Sequence, residues 1–158
     1  MGAETFADCP LKDGISFPNI KYLYNRAFAG LKKCTELELE SSITTLGDAP
    51  FATRSTYEWG RESTLTTLIL PAHLIHRMGL FKDSSIMKLK FKGTKEEWCN
   101  LFTSSATFTS DWPLMKSRTN SDGTITYGQL YVKDENGNFY ELKGTSETPL
   151  ELNVEEIK

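Results

Sequence analysis

Two short alternations constrain this chain more than any other feature. In TELELESSITTL at 35–46, Leu37, Leu39 and Ile43 alternate with Glu36, Glu38 and Glu40. In SIMKLKFK at 85–92, Met87, Leu89 and Phe91 alternate with Lys88, Lys90 and Lys92. A period of two is that of a strand with one face in a core and the other in water. In a sheet with one wet face, such alternation points to antiparallel pairing. If the two segments are antiparallel neighbours, the glutamates face the lysines, each pair contributing about 0.2–1 kcal/mol. The lysine row reads first as a solvated face or as a guard on an exposed edge. Its functional reading is a track for anions.

The chain has 158 residues, 39% hydrophobic and 25% charged, which suits one domain with a real core, here 1–158. Residues 1–14 read as an N-terminal arm, and the acidic stretch 145–158 reads as a tail or an edge strand. The formal net charge of -3 argues against a general nucleic-acid binder. No segment resembles a secretory signal or a membrane span. Three cysteines (Cys9, Cys34 and Cys99) with no CxxC spacing suggest reduced thiols and a cytoplasmic location. Cys34 and Cys99 lie on apolar faces and read as buried structural thiols.

Between the alternating segments the spacing changes. Ile20, Leu23, Tyr24, Ala27, Leu31 and Cys34 recur at helical intervals, which predicts a helix over 18–34 opened by Pro18. STLTTLIL at 63–70 reads as a strand stopped by Pro71, and AHLIHRMGL at 72–80 as a short helix. Thr94 and Glu97 have the spacing of a capping box, so a second longer helix begins there. TITYGQLYVK and NFYELKG flank Asn136-Gly137, a hairpin signal. No internal repeat is evident. The expected fold is α+β: a mainly antiparallel sheet with two longer helices and one short helix packed on one face.

Two sets of residues are candidates for function. The first lies in RSTYEWGRE at 54–62. Glu58 is a possible general base, Tyr57, His73 or His76 a possible acid, and Arg54 or Arg61 an anchor for an anionic group. His73 and His76 are three apart and share a face if 72–80 is helical. Two histidines without a carboxylate make a poor zinc site, so neither metal nor cofactor is expected. Tyr57-Glu58-Trp59 resembles the tripeptide that carries the catalytic glutamate in small fungal guanyl-specific ribonucleases. The likeness covers three residues: that family places proline next where this chain has Gly60, and it carries disulfides.

The second set is aromatic. Trp112, Tyr127 and Tyr131 belong to a C-terminal half rich in Phe and Tyr, and Tyr127 and Tyr131 share one face if they lie on one strand. Such rings suit a core rim, an oligomer interface or a ligand pocket. The expected function is therefore a soluble accessory protein that binds a protein partner or small ligand through an aromatic C-terminal sheet, with a homo-oligomer as one form it could take. The alternative is a small cofactor-independent acid–base enzyme, a hydrolase or lyase acting on an anionic or nucleotide-like substrate.

Overall fold

The alternating segments do form strands, but they stack in parallel. A computed structural model describes residues 2–53, 63–76, 81, 83–102 and 117–142. Its elements are β1 (Tyr22–Leu23), β2 (Glu36–Glu38), β3 (Thr45–Leu46), β4 (Thr67–Leu70), β5 (Ile75–His76), β6 (Lys88–Thr94), α1 (Lys95–Phe102), β7 (Ser117–Thr119), β8 (Ile125–Tyr127), β9 (Gln129–Lys133) and β10 (Phe139–Leu142). They form a three-stranded sheet in the order β1-β3-β5, a five-stranded sheet in the order β10-β9-β6-β4-β2, and the β7-β8 ribbon. Every pair in the first sheet is parallel, as are β2-β4, β4-β6 and β6-β9. Among the described strand pairs, β9-β10 and β7-β8 alone are antiparallel, and an isolated antiparallel bridge joins Ala52 to Ser84.

This is a winding chain. Each of three successive passes contributes one strand to the small sheet and one to the large sheet. A third set of coil-to-coil bonds joins the turns: Phe6 N–H to Ala27 O, Asp8 N–H to Ala29 O, Phe28 N–H to Pro50 O and Gly30 N–H to Ala52 O. Each coil thus lends its backbone groups to its neighbour, as in solenoids. Identical positions stack. Leu37, Leu68, Leu89 and Leu130 form one continuous row across four strands, each no more than 1% exposed. Phe6, Phe28 and Phe51 form a second row, with ring centroids 5.4 and 6.2 Å apart and nearly parallel planes. These phenylalanines recur about every 22 residues, within the range of repeat architectures. The repeat was missed in the sequence because it rests on few identical residues. Beyond Phe51 the chain enters residues 54–62, which lie outside the described residues.

The expected α+β fold is therefore overturned, and the reasons are physical. Residues 18–34 contain β1 and turns but no helix. Apolar residues spaced by three or four also suit a chain that turns a corner every few residues and points one side chain inward at each corner. Asn19, Arg26 and Gly30 have φ of 69°, 54° and 64°, which no α-helix admits. The N–H groups of Arg26, Phe28 and Gly30 bond to the following coil, not four residues back. Leu23, Ala27, Leu31 and Cys34 are buried as expected, but Tyr24 is exposed. The short helix expected over 72–80 is replaced, among the described residues, by β5, paired with β3. Parallel strands overturn the antiparallel sheet because in a solenoid the interior covers one face only. The burial pattern of β6 then alternates as an antiparallel strand's would.

Local signals hold where the chemistry is local. Among the described residues the single helix is α1. Its capping box is complete: Glu97 N–H donates to Thr94 Oγ1 at 3.2 Å, and Thr94 N–H donates to Glu97 Oε2 at 2.8 Å. Trp98 is buried edge-on against Phe91, 5.3 Å between centroids. The β9–β10 hairpin forms around Asp134–Asn138, with Gly137 at φ 82°. Asp134 Oδ1 accepts from the N–H groups of Asn136 and Asn138, which tightens the turn. No described helix is long and apolar enough to cross a membrane.

Candidate functional site

The five-stranded sheet has an inner face of leucines and an outer face that meets water. Parallel register sets the outer rows. One runs Glu36, Thr67, Lys88, Gln129, and the next Glu38, Ile69, Lys90, Tyr131, Glu141. The glutamate and lysine stripes are thus not adjacent, because β4 lies between them. The lysines still reach over Thr67 and Ile69: Lys90 Nζ lies 3.3 Å from Glu36 Oε2, and Lys92 pairs with Glu38. The side chains are about a third to a half exposed, so these ion pairs contribute about 0–1 kcal/mol each.

Toward the C-terminal edge the partners change from carboxylates to rings. Lys88 Nζ sits 5.1 Å from the Tyr131 centroid and Lys133 Nζ 5.5 Å from that of Phe139. Such cation–π pairs contribute about 0.5–1 kcal/mol at exposed sites. Partial burial, followed by the nearby Glu141 charge, raises the Tyr131 pKa, so its hydroxyl stays protonated. The β7–β8 ribbon stands beside this face. Tyr127 on β8 is 67% exposed and Ile125 54%. Tyr127 and Tyr131 do not share one strand, because β8 ends before β9 begins. Tyr127 instead lines a hollow of about 250 Å³ whose floor includes Thr67, Lys88 and Gln129. The ribbon contributes Asn120 and Thr126 to the wall.

A second hollow of about 390 Å³ lies at the β2 edge, lined by Glu36, Glu38, Glu40 and residues 14–16. Its carboxylates already have partners. Glu40 accepts from Phe17 N–H at 2.9 Å and from the Ser16 hydroxyl, while Glu36 and Glu38 hold lysines. Nearby, Asp13 accepts from Glu36 N–H, the Thr35 hydroxyl and Thr35 N–H, and these bonds lower its carboxyl pKa from 3.8 to about 2. Asp13 therefore ties the first coil to the start of β2. Cys34 is fully buried, and desolvation, aided by Asp13, pushes its thiol from 9.0 up to about 11. That suits the structural thiol expected; the side chain of Cys99 lies outside the described residues. Among the described residues, no group of three or more His, Cys, Asp or Glu is placed to hold a metal.

Of the acid–base set, Arg54, Tyr57, Glu58 and Arg61 lie outside the described residues, as does Trp112 of the aromatic set. His73 is exposed, and its Nε2 lies 2.7 Å from Ser41 O in the preceding coil, so Nε2 is the hydrogen-bearing donor to that carbonyl. His76 lies in β5 opposite Leu46, so the helix face it was to share with His73 does not exist. The pocket residues Lys88, Asn120, Thr126 and Gln129 carry no signal as a set, because only the register of β6 and β9 and the placement of the ribbon bring them together. Searches of protein-family models, curated proteins and solved structures find nothing significantly similar to this chain.

Proposed function

We propose that this chain is a non-catalytic binding module that takes a protein partner or small ligand on the outer face of its C-terminal sheet. The observation that carries this reading is the pair of lysine–ring stacks, Lys88 on Tyr131 and Lys133 on Phe139, beside the exposed Tyr127 and the hollow it lines. Stability alone does not call for a half-buried Tyr131 and an exposed Phe139 under ammonium groups on a wet sheet face. Recognition surfaces are enriched in such rings. The solenoid supports the reading, since stacked coils give a rigid platform for side chains.

The test is a titration of the isotope-labelled chain with pooled short peptides and small polar metabolites, read by backbone amide shifts. Binders are expected to move the amides of Lys88, Tyr127, Tyr131 and Phe139, and to weaken at least tenfold in a Tyr131→Ala/Phe139→Ala variant. Binders that keep full affinity in that variant and move none of those four amides would overturn the proposal.

A further inference from the structure

The hollow between the sheet and the β7–β8 ribbon has a more specific chemistry than the face around it. We infer that it is a site for a sugar bearing one anionic group. This rests on the binding reading above and deepens it.

Size comes first. About 250 Å³ falls below the roughly 300–1,000 Å³ of pockets for drug-sized ligands, which fits a single ring with its substituents. Charge comes second. Among the described residues, Lys88 is the one ionisable cation in the lining, and no lining residue among them carries a carboxylate. Its neighbour Glu36, in the same outer row, is engaged by Lys90, and Glu141 lies beyond Gln129 on β10. One ammonium with no arginine fork suits one negative group.

The polar wall is the third argument. Asn120 Nδ2 donates to Thr124 Oγ1 at 2.8 Å and to Thr126 Oγ1 at 2.9 Å. That bond fixes the Asn120 amide and leaves the Thr126 hydroxyl hydrogen available to donate. Gln129 Nε2 points to Glu141 Oε1 at 3.4 Å, which leaves the Gln129 carbonyl oxygen as an acceptor. Asp122 Oδ1 accepts from Thr124 N–H at 2.9 Å, so the turn that carries Asn120 is itself braced. A hydroxyl donor and a carbonyl acceptor, held by neighbouring bonds beside the Lys88 ammonium, suit ring hydroxyls and offer little to an apolar ligand. The exposed ring of Tyr127 supplies a flat apolar wall for the C–H face of a sugar.

The experiment is a heat and amide-shift titration of the full chain with methyl glucuronoside, glucose 6-phosphate and neutral methyl glucoside, at low and high salt. The expected result is that one or both anionic sugars bind at least tenfold tighter than the neutral one. That preference should vanish in Lys88→Met and weaken with salt. Preference for the uronoside identifies a carboxylate, preference for the phosphate a phosphoryl group, and either supports the site. Tyr127→Ala changes an exposed ring, so it tests the site even if Lys88→Met lowers the melting point; at least a fivefold loss is expected. Equal binding of all three sugars, or binding untouched by both variants, overturns the inference. If no sugar binds but peptides still shift Tyr131 and Phe139, the sugar site falls and the binding module stands. If nothing binds at that face, both fall.

Discussion

Leu68→Ala tests directly which face of β4 is turned to the core. Leu68 is fully buried in the middle of the Leu37–Leu68–Leu89–Leu130 row, with a leucine neighbour in each adjacent coil. The substitution removes about three carbons, or roughly 2.4 kcal/mol at about 0.8 per methylene. Rows on both sides hold the cavity open, so the total should reach about 3–5 kcal/mol. For a chain of this size, about 2–4 °C per kcal/mol gives a fall in melting temperature of roughly 6–20 °C. Urea unfolding followed by circular dichroism should show a lower midpoint at nearly unchanged slope. Thr67→Ala, one residue away on the outer face, should change stability by no more than about 0.5 kcal/mol. A one-residue register shift would exchange the two faces. A Leu68→Ala cost below about 1 kcal/mol, or a Thr67→Ala cost as large, would therefore refute this register and the leucine row built on it.

The remaining expectations concern coil contacts, the helix cap and two titrating groups. A Cβ on Gly47 would lie 2.7 Å from Asn25 N and 2.8 Å from Tyr24 C, which are backbone atoms that cannot swing aside; on Gly30 it would meet the Asp8 carboxylate, at φ 64°. Thermal melts should rank Gly47→Ala, at the upper end of about 1–3 kcal/mol for overpacking, above Gly30→Ala, at about 1–2 kcal/mol for left-handed strain. Thr94→Ala removes the cap of α1 and should lower the urea midpoint by the equivalent of about 1 kcal/mol. Because Asp13 is lowered from 3.8 to about 2, the unfolded chain takes up its proton first. The stability Asp13 contributes is complete above about pH 4 and is lost as pH falls toward 2. Urea midpoints measured across that window should fall less steeply in Asp13→Asn, and equal slopes would refute the assignment. Cys34 runs the other way: raised from 9.0 to about 11, its stabilisation is complete below pH 9 and declines as pH rises to 11. Peptide mapping after iodoacetamide at pH 8 should find Cys34 unmodified in the folded chain and labelled in urea.

Local chemistry was legible in the residues themselves. Thr94 and Glu97 announced the helix start, Asp134 to Gly137 the hairpin turn, Pro71 the strand end, and Leu37, Leu89 and Phe91 the buried face, because each depends on neighbours within a few positions. The acid–base stretch 54–62 was legible as a candidate and lies outside the described residues. What the residues could not carry was direction and partnership. A strand with one wet face alternates in the same way whether its neighbour runs parallel or antiparallel, and apolar residues three or four apart suit a helix or the corners of a coil. Tertiary structure decided both questions, since the N–H groups of Arg26, Phe28 and Gly30 bond to the next coil while those of Ala27 and Ala29 close tight turns three residues back, so no helical ladder forms. It also made the candidate site. Lys88, Tyr131, Gln129 and Asn120 are far apart or unremarkable along the chain, and they become one surface only when the register of β6 and β9 sets them side by side.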